Sequence, residues 1–160
     1  MTTATALNHP DHPNVKIPPP LVYVAGFALG LLLGKAVPVT VMPTISGRMG
    51  AVLCLVLWAI LGLWSIVLFR RVRTNFLPIK PTTALVVSGP YRLTRNPMYL
   101  ALAFLYVGLA LWFLVFWALV LLPAVIAVTQ YFVITREEQY LEEKFGDDYR
   151  QYKARVRRWI

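Results

Sequence analysis

The sequence is poor in cysteine and in acidic side chains, and it carries none of the common nucleotide loops. Its one cysteine, Cys54, cannot form an intramolecular disulfide or a thiol metal cluster and reads as a small apolar residue within a hydrophobic run. There is no Gly-x-Gly-x-x-Gly, Walker loop, His/Glu zinc helix or Gly-x-Ser-x-Gly elbow, so dinucleotide binding on a Rossmann fold, nucleotide hydrolysis, zinc hydrolysis and serine hydrolysis have no support. No metal site is expected. His9 and His12 fall in a polar, proline-rich stretch, residues 1–20, that reads as a flexible tail and not as a cleaved signal peptide.

Against 7 acidic residues stand 16 lysines and arginines, for a net charge of +9. Nucleic acid is not the expected partner. The basic residues sit just outside long apolar stretches, where membrane proteins meet anionic head groups. Hydrophobic residues make up 58% of the chain. The expected class is an all-α integral membrane protein with about four transmembrane helices in a single domain.

The first two spans fall within residues 21–69, as the apolar runs Leu21–Val37 and Met49–Phe69. In the first, Gly26, Gly30 and Gly34 recur every fourth residue on one helical face, a spacing that lets another helix approach closely. That face permits an intramolecular partner or a homodimer. A cytoplasmic connection at 70–96 holds Pro78, Pro81, Gly89 and Pro90, which exclude a long helix, while Leu85-Val86-Val87 suggests a short extended piece. Residues 98–134 contain no charge; as one helix they would measure about 55 Å, nearly twice the bilayer core. They are therefore read as a hairpin within 97–134, bending near 112–117 where Trp112 and Trp117 mark an interface, with Pro123 as the alternative. Six lysines and arginines lie in 70–96 and seven in 135–160, which places both segments, and both termini, on the cytoplasmic side.

Two constellations could carry chemistry there. Asn96-Pro97 reads as a helix start, with Asn as N-cap and Pro at the first position. The free N–H groups of that helix end, with the charged fork of Arg95, suit a carboxylate or phosphate; Arg92 is a second cation nearby. On a helical wheel of 134–145, Glu138 shares an apolar face with Ile134, Leu141 and Phe145, so it needs a partner, with Arg92 or Arg95 the candidates. Glu137 at the edge of that face, and the Glu142/Glu143 pair, are expected in solvent. Gly146-Asp147-Asp148 reads as one helix ending and another beginning, and Tyr149, Tyr152, Val156 and Trp159 then form an amphipathic face lying on the membrane surface. An arginine and a helix N-terminus facing a carboxylate suit a zwitterionic amino-acid ligand.

The ordered set Gly-Pro-Tyr-Arg-x-x-Arg-Asn-Pro-x-Tyr at 89–99, a long apolar hairpin, Glu-Glu-x-x-Leu at 137–141, Phe-Gly-x-x-Tyr-x-x-Tyr at 145–152 and a basic end at 155–158 resembles the isoprenylcysteine carboxyl methyltransferase and phospholipid methyltransferase superfamily. The resemblance covers residues 65–160. It implies S-adenosylmethionine as methyl donor and a lipid or other lipophilic acceptor entering from the bilayer of a bacterial inner membrane. By the same resemblance Arg95 and Glu138 would be catalytic, and Tyr91, Arg95, Asn96, Pro97, Tyr99, Glu138, Tyr149 and Tyr152 would bind the cofactor. The family often has His where this chain has Asn96, which hydrogen-bonds but does not titrate near neutrality. It often has Gly where this chain has Ala101. The rival readings are an NADPH-dependent membrane reductase of steroid-reductase-like type and a non-enzymatic lipid-binding membrane protein.

Overall fold

A computed structural model describes residues 15, 17–39, 44–73 and 82–160. The histidines of the N-terminal tail, Pro43, Pro78 and Pro81 lie outside the described residues. The fold is all-α: α1 (Pro19–Ala36), α2 (Thr44–Val72), a 3₁₀ turn (Gly89–Arg92), α3 (Pro97–Trp112), α4 (Phe116–Thr129), a π-helical turn (Gln130–Ile134) and α5 (Thr135–Arg155). Among the described residues there is no strand; 85–87 is irregular.

Among the described residues three helices are long and apolar enough to cross a membrane: α1, α2, and the run Phe116–Arg155 formed by α4, the π turn and α5, which kinks at Gly146. Its stretch before the kink, residues 116–145, is about 45 Å long, half again the bilayer core. Its apolar part ends at Ile134, so the charged remainder projects beyond the span. The fourth apolar helix, α3, has only 16 residues.

The hairpin bends within the expected window, at Phe113–Val115, with Leu114 in the left-handed region at φ 55°. Trp117 anchors the bend by donating its indole N–H to the Val37 carbonyl at 2.8 Å. Pro123 is accommodated inside α4 and is not the turning point.

Small residues set the helix spacing. A Cβ on Gly30 would lie 2.7 Å from the backbone of Ala118, and one on Gly26 would meet Val125, so the glycine face of α1 is taken up by α4 of the same chain. Gly34, at the end of this row, only approaches Trp117. Helix α2 packs chiefly on α3, where Gly108 faces Leu55 and the carbonyl of a fully buried Ala51. The core between α1, α3 and α4 is filled by Tyr23, Ala103, Tyr106, Ala110, Val115, Ala118 and Val125. Tyr106 meets the edges of Tyr23 and Phe27 with ring centroids 6.0 and 5.5 Å apart, the T-shaped geometry that aromatic quadrupoles favour. The outward faces of α1 and α2 are rich in exposed Leu, Val, Ile and Trp, as suits helices surrounded by lipid.

Candidate functional site

A cavity of about 320 Å³ opens where the N-terminal ends of α1 and α3, the C-terminal half of α2 and the start of α5 converge. Its walls are apolar over most of their area, from Trp58, Ile66 and Phe69 of α2, Met98 and Leu102 of α3, and Leu85 and Val86 of the connection. The polar groups gather at one end.

Asn96 occupies the N-cap position of α3 and Pro97 the first turn, as expected. The Asn96 side chain makes no capping bond, however. It donates Nδ2–H to the Arg158 carbonyl at 2.9 Å, so the helix end is left uncapped by the asparagine, which ties down the C-terminal tail instead. Pro97 is fully buried and does not line the cavity, which corrects its expected place among the contact residues; it shapes the first turn of α3.

The cavity lining does include Tyr91, Arg95, Asn96, Tyr99, Glu138, Tyr149 and Tyr152. Glu138 is buried, as its helical-wheel position requires, and it is paired. Arg158 grips it with a fork, Nε to Oε1 at 3.0 Å and Nη2 to Oε2 at 2.6 Å. Arg95 Nη1 stands 3.2 Å from Glu138 Oε1, within ion-pair range. It is not aligned for a hydrogen bond, and both Nε and Nη1 of Arg95 are buried without a hydrogen-bond partner. Buried donors without acceptors are rare and costly. These two belong to a residue that lines the cavity. Arg92 is exposed and is not the partner of Glu138.

Glu137 corrects the expectation of a solvated residue. It lines the cavity and accepts a hydrogen bond from the Tyr99 hydroxyl at 2.7 Å. Burial raises its carboxyl above the usual carboxylate range; the Tyr99 bond opposes this and the charge of Glu138 adds to it. A wheel places Glu137 at an edge because it considers α5 alone, whereas the side chain of Tyr99 from α3 reaches that edge. The polar Tyr99 at the first turn of a neighbouring helix is the signal that could have found it. Glu142 is part-exposed and held by Arg150 at 3.3 Å and Lys153 at 3.0 Å, away from the cavity, and Glu143 is exposed.

Tyr149 and Tyr152 reach the cavity because α5 kinks at Gly146, whose φ of 53° and ψ of −124° suit glycine alone. Tyr152 donates to the Tyr91 carbonyl at 2.7 Å, fastening α5 to the 3₁₀ turn. The face expected to lie on the membrane surface therefore turns inward at both tyrosines. The helix also ends at Arg155, and Val156 is extended, so Val156 and Trp159 do not continue that face. Trp159 instead packs near Val15, Tyr99, Val133 and Ile134 and donates its N–H to Gln130 Oε1 at 2.9 Å. Burial raises the Tyr91 and Tyr149 hydroxyls above their ordinary value, helped by the carboxylates of Glu137 and of Glu138 respectively, so both are neutral donors at physiological pH.

Arg158 is the site residue that sequence reasoning misses. It lies in a run of arginines near the end of the sequence that reads equally well as a head-group contact. Among the described residues no group of His, Cys, Asp and Glu could hold a metal ion.

One end of the cavity is thus lined by Arg95 and by the carboxylates of Glu137 and Glu138, and the remainder is lipophilic. A Haemophilus influenzae protein, itself uncharacterized, is 46% identical over 63 residues, which is 39% of this chain and the whole of that protein. No solved structure matches. The phospholipid methyltransferase family matches residues 46–148, more than half the chain and most of the cavity wall, and the chain belongs to that family, one of membrane methyltransferases acting on lipid-like substrates.

Proposed function

We propose that the protein transfers a methyl group from S-adenosylmethionine to a lipophilic acceptor at the cytoplasmic face of a bacterial inner membrane. The observation that carries this reading is that Arg95 and Glu137 line the same cavity, with Arg95 held to Glu138 by a single ion-pair contact of 3.2 Å. An aminocarboxylate has one group for each. Its carboxylate takes the Arg95 fork and the uncapped N-terminal turn of α3, and its ammonium takes Glu137. In this arrangement Glu138 is engaged by Arg158.

When bound, the cofactor supplies an electrophilic methyl carbon on a sulfonium. The chain's own contribution is alignment and exclusion of water. Tyr91, Tyr149 and Tyr152 enclose the polar end, and aromatic faces suit a sulfonium cation. Methyl transfer is a direct displacement, which depends on orientation more than on proton transfer. Asn96, where relatives often have His, is committed to the Arg158 carbonyl and has no role as a base. The apolar walls of α2 and α3 give a lipophilic acceptor a path from the bilayer to the polar end. The excess of basic residues in 70–96 and 135–160 supports the cytoplasmic assignment of that end and of both termini.

Calorimetric titration of the detergent-purified protein with S-adenosylhomocysteine, with NADPH in parallel, tests the proposal. Saturable binding of the first alone supports it. Binding of NADPH alone replaces it with the reductase reading, and binding of neither by folded protein favours a non-enzymatic lipid-binding role.

A further inference from the structure

Beyond Arg155 the chain leaves the helix and doubles back along the loop that precedes α3. The Arg95 N–H donates to the Arg157 carbonyl at 3.0 Å. The Arg158 carbonyl accepts from both Thr94 Oγ1 at 3.0 Å and Asn96 Nδ2 at 2.9 Å. Trp159 ties the end to Gln130. The backbone of the tail therefore brackets Arg95 on both sides, and it delivers the Arg158 guanidinium to Glu138.

The consequence lies in how the charges are shared. Glu138 has two oxygens and two arginines within reach. A guanidinium fork and a carboxylate match bidentately, and that pairing is far stronger than a single misaligned contact. Arg158 holds the bidentate position. Arg95 is left with a contact of 3.2 Å to one oxygen that is already engaged, and with two donors unmatched. Were Arg158 absent, Arg95 would be the remaining cation beside a buried carboxylate, and its fork would turn to that carboxylate. The guanidinium of a residue that lines the cavity would then be consumed internally.

We propose that Arg158 is a positioning residue for the ligand site: by occupying Glu138 it keeps the fork of Arg95 available to the carboxylate of an incoming amino-acid-bearing ligand. This role rests on the cofactor reading above. Arg158 itself does not line the cavity. It acts through Glu138, and only on the carboxylate end of the ligand.

The test compares two ligands on the detergent-solubilised full chain, S-adenosylhomocysteine and 5′-methylthioadenosine, which lacks the aminocarboxylate. R158Q is expected to weaken S-adenosylhomocysteine on the order of tenfold and to leave methylthioadenosine unchanged. Adding E138Q to R158Q removes the competing carboxylate and is expected to recover most of that loss. If R158Q fails to fold, R158K takes its place; it keeps the charge without the fork and should cost S-adenosylhomocysteine about threefold with no effect on methylthioadenosine. Equal losses for both ligands, no loss in folded protein, or a double variant worse than R158Q each overturn the proposal in favour of a merely structural tail. Failure of the wild-type protein to bind either ligand overturns the cofactor reading first, and this role with it.

Discussion

Tyr99, in the first turn of α3, donates its hydroxyl to Glu137, in the first turn of α5, at 2.7 Å. The bond joins two helices across the polar end of the cavity and stabilises the ionised form of a carboxyl that burial pushes the other way. The folded-state value of Glu137 lies above its ordinary one. Its favourable contribution to stability is therefore complete below the ordinary carboxylate value and is lost as pH rises through the raised value. Ligand binding runs oppositely, because an ammonium group needs the ionised form. Affinity for S-adenosylhomocysteine should fall as pH drops through the raised value of Glu137, and E137Q should abolish that dependence. Y99F removes the opposing bond, so the midpoint should move to higher pH. Calorimetry across a pH series reads both effects.

The two arginines of 92–95 should behave differently. R92A removes an exposed side chain and should change stability and ligand affinity by no more than about 0.5 kcal/mol. R95Q leaves Glu138 to Arg158 and the ligand carboxylate without its partner, at a cost of about 2 kcal/mol or more, roughly thirtyfold in Kd. Parallel titrations with S-adenosylhomocysteine separate them.

Gly30 and Gly34 lie one helical turn apart but face different surroundings. A Cβ on Gly30 meets the Ala118 backbone at 2.7 Å, which cannot yield as a flexible side chain would, whereas the nearest atom to a Cβ on Gly34 is 4.0 Å away. G30A should destabilise the fold by about 1–3 kcal/mol through overpacking, and G34A should be neutral. Thermal unfolding in detergent distinguishes them.

At Gly146 the space is open, with nothing within 4 Å of where a Cβ would stand, but the backbone is in a region that L side chains rarely adopt. G146A should cost about 1–3 kcal/mol from conformation alone. If the chain relieves that strain by straightening α5, Tyr149 and Tyr152 turn away from the cavity, and ligand affinity should fall more than stability does.

The apolar runs, the hairpin bend and the loop–helix start at Asn96 are legible in the sequence because each follows from local rules: span length, tryptophan at an interface, and Asn-Pro at a helix N-terminus. Glu138 is legible because a charge on an apolar helical face demands a partner. What the sequence conceals depends on chain segments far apart. Nothing near Arg158 shows that an extended turn at Val156 returns it to Glu138, 20 residues earlier. Nothing near Glu137 shows that Tyr99 packs beside it, 38 residues away. The Tyr149–Trp159 periodicity suggests one surface helix, and the early end of that helix at Arg155 divides it between the cavity and a tail.

The π turn at Gln130–Ile134 lies between the membrane span and the first site residues of α5, Glu137 and Glu138. A π turn holds one residue more than an α turn would, and Thr135 marks it with both its hydroxyl and its N–H on the Gln130 carbonyl. Losing a single codon within 130–134 would restore α geometry and leave the span as apolar as before. Because the residue lost is the one the π turn absorbs, everything beyond would keep its facing, and Glu137, Glu138 and Tyr149 would stay on the cavity. This short turn is thus the place where the chain can change length by one residue without re-aiming the site, whereas the same deletion in the regular turns of α4 would rotate Glu137 and Glu138 by about 100°.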